Sequence, residues 1–108
     1  MKDIFESAPL RLMNGNLYLD AEVYSAFFGD RDSVAVLSRD HQIALFALSS
    51  GSVGGSLAKI KNARGDRVIV ARELLRGLDL DDVSLDVEAR WDPELCALVF
   101  PQPKPRGR

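Results

Sequence analysis

The sequence predicts an α+β fold, mostly β, laid out as two β-β-α-β-β repeats. Three observations carry this. The same order of elements runs twice along the chain. One stretch alternates apolar and polar residues with period two. Each half holds one short amphipathic helical stretch. "LRLMNGNLYLDAEVYSAFF" lies over "AKIKNARGDRVIVARELLRGL", with Leu12 on Ile60 and Asn14 on Asn62. Beyond a longer loop in the second copy, Leu17-Tyr18-Leu19 falls on Val68-Ile69-Val70 and Glu22 on Glu73. "SVAVL" then meets "DVSLD", and "IALFAL" meets "CALVF". Identities are few; it is the order of elements that repeats.

In the first copy, "NGN" at 14–16 signals a short turn, because Gly15 takes positive φ without a Cβ penalty. Val23, Tyr24, Phe27 and Phe28 form one helical face. Asp20 is placed to cap that helix, and Gly29 to stop it. "SRDH" breaks the chain between two apolar strands. In the second copy, Ala71, Leu74, Leu75 and Leu78 sit at i, i+3, i+4 and i+7. Val83, Leu85, Val87 and Ala89 alternate with Ser84, Asp86, Glu88 and Arg90, a strand with one face buried and one wet. "WDPE" turns it, and "LCALVF" returns as its partner.

These elements make one domain over residues 1–100, with repeats at about 10–48 and 58–100. "SSGSVGGS" at 49–56 is a flexible Gly/Ser connection, and "PQPKPRGR" at 101–108 is a flexible basic tail. At 108 residues the core is modest, so a partner chain is expected to help complete it. No apolar run is long enough to span a bilayer, the start has no secretory character, and a single cysteine makes no internal disulfide. The expected location is the cytoplasm.

The net charge of −2 is unevenly spread. Residues 57–76 carry Lys59, Lys61, Arg64, Arg67, Arg72 and Arg76 against Asp66 and Glu73, a local excess of +4. Residues 77–100 carry one base, Arg90, and seven acids. A chain polarised in this way offers a cationic surface to a polyanion despite its acidic total.

"NARGDRVIVARELLRGLDLDDVSLDV" resembles the AbrB-type swapped-hairpin unit: a glycine loop with a basic residue, a short strand, a helix and a following strand. Two such units in one chain resemble the MraZ-type arrangement. The resemblance implies a swapped-hairpin-like β-barrel made by interleaving hairpins, within one chain or between chains of a homo-oligomer. It also implies duplex DNA as partner and a role in transcription regulation. Carried over by position, it nominates Lys59 and Lys61 on the strand, with Arg64 and Arg67 in the adjoining turn, as nucleic-acid contacts. Asp66 between Gly65 and Arg67, Ala71 in place of a proline, and a first-copy loop without a base depart from the family pattern.

Other readings stand beside this one. A second reading has the four cations pair with the acids of residues 79–94 and keep an edge strand soluble. The alternative function is a non-catalytic protein-interaction or assembly module on the same fold, with DNA binding lost. Arg64-Gly65-Asp66 spells an adhesion tripeptide, but glycine turning a loop explains it. "GSVGGSLAK" lacks phosphate-loop spacing. His41 falls in a turn without an oriented partner, and one histidine with one cysteine makes no zinc set. Cys96 reads as a small core residue of an apolar strand, Trp91 and Phe100 as packing or hairpin-edge residues, with an exposed partner contact the other reading of Trp91, and Asp79, Asp81 and Asp82 as a solvated turn. Nothing here names an enzyme, a metal or a cofactor.

Overall fold

Local sequence makes the hairpins. The computed structural model describes residues 7–29, 33–48, 56–60 (main chain only) and 65–104. Strand β1 (Ser7–Met13) turns through Asn14 (φ 53°) and Gly15 (φ 83°) into β2 (Asn16–Leu19). Positive φ at both central residues is what a tight hairpin turn demands, and Asn-Gly tolerates it best. Strand β3 (Ser33–Arg39) turns the same way through Asp40 (φ 54°) and His41 (φ 65°) into β4 (Gln42–Ala47). In the second half, β5 (Ser56–Ile60) pairs with β6 (Arg67–Val70), and β7 (Ser84–Asp92) with β8 (Ala97–Pro101). Asp92 shapes the last turn: its Oδ1 accepts from the N–H groups of Glu94 (3.0 Å) and Leu95 (3.2 Å).

The eight strands close one antiparallel barrel in the order β1-β2-β6-β5-β3-β4-β8-β7. Hairpins of the first and second halves alternate around this ring, so the interleaving is completed within one chain. A pseudo-twofold axis passes through the Tyr18–Val68 pair on one wall and the Leu45–Leu98 pair on the opposite wall. Leu10, Leu12, Leu17, Ile43, Leu45, Ile69, Leu98 and Phe100 fill the interior. Each is worth about 1.5–3 kcal/mol of burial relative to exposure.

Two short helices join the same core. Helix α1 (Ala21–Phe28) buries Val23, Tyr24 and Phe28, with Phe27 stacked on Trp91 at 5.4 Å between ring centroids. Helix α2 (Arg72–Gly77) buries Leu75, with Leu74 and Leu78 partly covered. None of the helices among the described residues is long and apolar enough to cross a membrane.

The strand registers correct the sequence alignment of the two halves in two places. Leu17 pairs with Ile69 and Leu19 with Arg67. Directly opposed residues share a face, so Leu17 is equivalent to Arg67 and Leu19 to Ile69. Setting Leu17 on Val68 would place an inward residue on an outward one. Pro9 pairs with Glu88, and Leu57 with Ser33. Pro9 and Leu57 are equivalent in the register that joins Leu12 to Ile60, so Ser33 corresponds to Glu88. "SVAVL" therefore matches the second half of β7, not its start. The sequence bounds need two further changes. Pro101 belongs to β8, and the Gln102 N–H donates to the His41 carbonyl at 2.9 Å, so the ordered chain runs past residue 100. Ser56 opens β5; the remainder of the 49–56 connection lies outside the described residues.

Candidate functional site

The basic segment is a single hairpin. In its register Lys59 lies opposite Val68 and Ile60 opposite Arg67. Of the nominated cations, Lys59 and Arg67 therefore sit in neighbouring pairs of this register. Lys61 and Arg64 lie outside the described residues, and of Lys59 only the main chain is described.

Arg67 is not a turn residue. It opens β6 at the inward position equivalent to Leu17. A charged side chain at an apolar position needs a partner. It has one in α1: the Arg67 guanidinium lies over the Tyr24 ring, 4.5 Å from the centroid. Tyr24 in turn packs on Phe28 at 5.2 Å. Arg67 thus ties the base of the hairpin to the first-half helix.

Asp66 does the same from the neighbouring position. It is 7% exposed, and its Oδ1 accepts from the Ala21 N–H at 2.8 Å. This is the first turn of α1, where main-chain N–H groups have no partner inside the helix. Asp20 stands at the N-cap position expected from sequence, but its side chain makes no capping bond. The cap comes from the other half of the chain instead. The twofold-related contact uses main chain: Ala71 N–H donates to the Gly15 carbonyl at 2.9 Å, at the start of α2. Gly15 and Gly65 are equivalent, and both have positive φ (83° and 93°). Each glycine turn presses against the helix start of the opposite half. A Cβ on Gly15 would come within 3.1 Å of the Arg72 Cβ, and one on Gly65 within 3.6 Å of the Ala21 Cβ.

Beside Arg67 lies a cleft of about 500 Å³. Its lining includes Pro9, Arg11, Tyr18, Asp20, Asp86 and Glu88. Its origin is local. The two-residue turn makes Met13 and Asn16 a hydrogen-bonded pair, so Arg11, Pro9 and Ser7 aim their main chains toward the β2 side. Pairing with β2 runs only from Met13 to Arg11, whereas pairing with β7 continues to Ser7. Pro9 has no N–H to extend the ladder, and β2 leaves toward α1. The Arg11 Nε sits 3.1 Å from Oδ1 of Asp86, its direct partner on β7.

Some acids of the second half do meet cations: Asp86 pairs with Arg11, and Asp81 with Arg76 at 3.8 Å. Both pairs are solvent-exposed and contribute little. Cys96 departs from its expected core position. It is exposed at the β7–β8 turn with φ 53°, and its Sγ donates to the Pro93 carbonyl at 3.6 Å. The alternation of "LCALVF" breaks there because the strand starts at Ala97. Trp91 and Phe100 pack as expected, and His41 lies exposed in its turn. Among the described residues no cluster of three metal-ligating side chains occurs. No family model, no curated protein and no solved structure matches this chain.

Proposed function

We propose that this chain is a non-catalytic DNA-binding regulator that docks the β5–β6 hairpin on duplex DNA. The observation that carries this reading is the inward position of Asp66. In sequence it stands as a carboxylate in the middle of a basic loop, where it would repel phosphate. In the fold it is buried, and its carboxylate is engaged by the start of α1. Lys59, Lys61 and Arg64 are the contacts, while Arg67 fixes the base of the hairpin. The resemblance of this loop, strand and helix to the AbrB-type unit supports the same reading. Phosphate neutralisation releases counterions, so affinity falls steeply with salt.

The test is fluorescence anisotropy with random duplex DNA at low and near-physiological salt, beside Lys61→Ala/Arg64→Ala. Salt-sensitive binding lost in the folded variant supports the reading. Equal binding by the variant, or none at low salt, refutes it.

One observation favours a second reading, a protein-interaction or assembly module on the same barrel. Arg67, a nominated DNA contact, is spent inside on Tyr24 beside a cleft rich in carboxylates. A stable oligomer or protein complex with no affinity for duplex DNA would select it.

A further inference from the structure

We propose that the cleft where β2 leaves β1 binds an extended peptide carrying lysine or arginine at alternate positions. The peptide adds as a strand against Ser7–Pro9. Three features converge on this occupant. The first is main chain. Among the described residues, β1 from Ser7 to Leu10 has a strand neighbour on its β7 side alone. Pro9 C=O then faces the cleft, and Ser7 N–H and C=O extend the same open edge just beyond its lining, which is the pattern that strand addition uses. The second is charge. Asp20, Asp66, Asp86 and Glu88 outnumber Arg11 and Arg67 around the lining; Asp66 is already bonded to Ala21, and Asp86 is shared with Arg11 in an exposed ion pair. The third is spacing. Asp86 and Glu88 lie two apart on the outward face of β7, so they stand about 7 Å apart. That is the spacing of alternate side chains on an extended peptide. The volume of about 500 Å³ is within the range of pockets that hold a ligand of this size.

A small polyamine would share the cationic chemistry but not the main-chain pairing. The chain's own tail, with Lys104, Arg106 and Arg108, would share both. The proposal is for a separate peptide, and the test separates these occupants.

The full chain is titrated with a fluorescent, end-blocked pentapeptide alternating lysine and valine. The same peptide N-methylated at alternate residues, and spermidine as competitor, are run in parallel. The protein variants are Asp86→Asn, Glu88→Gln and, as a control outside the cleft, Glu94→Gln. Saturable binding is expected, weakened about three- to fivefold by each cleft variant. Glu94→Gln should leave it unchanged, and N-methylation should abolish it. Several outcomes overturn the proposal. These are no saturable binding, equal binding of the N-methylated peptide, spermidine competing as well as the peptide itself, and binding that appears only after residues 103–108 are removed. The last would assign the cleft to the tail. The double variant Asp86→Asn/Glu88→Gln alters solvent-exposed groups, so a folded protein that still binds unchanged also overturns it.

Discussion

The carboxylate of Asp66 accepts a hydrogen bond from the Ala21 N–H at 2.8 Å, joining residues 45 positions apart. An N-cap is ordinarily local, made by the residue just before the helix. Here the residue just before the helix, Asp20, is exposed and the distant one is buried. Asp66→Ala is therefore expected to destabilise the fold by about 1–2 kcal/mol, with Asp20→Ala within about 0.5 kcal/mol of the parent. Urea denaturation of the two variants distinguishes them. Equal losses would return the cap to Asp20.

Arg67 occupies an inward strand position whose counterpart is Leu17. Its contact with Tyr24 should be worth about 1 kcal/mol. Arg67→Ala loses this contact and the packing of the stem, whereas Arg67→Leu restores an apolar side chain at a site built for one. The expected order of thermal stability is parent, then Arg67→Leu, then Arg67→Ala. If the hairpin binds DNA through Lys59, Lys61 and Arg64, Arg67→Leu keeps most of the affinity. A loss as large as that of Lys61→Ala/Arg64→Ala would make Arg67 a direct contact.

Gly15 and Gly29 both have positive φ, but they differ in surroundings. A Cβ at Gly15 meets the Arg72 main chain at 3.2 Å, whereas a Cβ at Gly29 meets nothing within 4 Å. Backbone strain costs about 1–3 kcal/mol at either site. Gly15→Ala adds a steric term because Cα of Arg72 is part of a helix start and cannot swing aside. A denaturation midpoint lower for Gly15→Ala than for Gly29→Ala is expected. The reverse order would mean that the turn and α2 move apart freely.

Cys96 is exposed in a turn, so a thiol-specific reagent should label it in the native protein at a rate unaffected by sub-denaturing urea. Labelling that requires unfolding would place it back in the core.

The scaffold was legible from local signals. Asn14-Gly15 announced its turn, the alternation from Val83 to Arg90 its strand, and the apolar faces of α1 and α2 their burial. The mutual register of the halves was not. A strand has period two, so an alignment one residue out still looks apolar in "LYL" over "VIV". Only pairing partners, such as Leu17 with Ile69, fix the face. The site was less readable still. Asp66 looked like an intruder because sequence shows its neighbours in the chain, not Ala21. Arg67 looked like a turn cation because nothing local reveals that its place in the ring is inward. The cleft left one trace, Pro9, whose missing N–H ends a ladder that sequence alone does not show to exist.

The alternation of hairpins around the ring also sets the order in which the protein can be born. Ser7 pairs with Arg90, so the first strand has no partner on that side until the last strands have been synthesised. Contacts of such sequence separation make folding slow. The first half leaves the ribosome with the strands of two hairpins and open edges, unable to close by itself. During that interval its unpaired strands are available to the wrong partners, including the same strands of a neighbouring nascent chain.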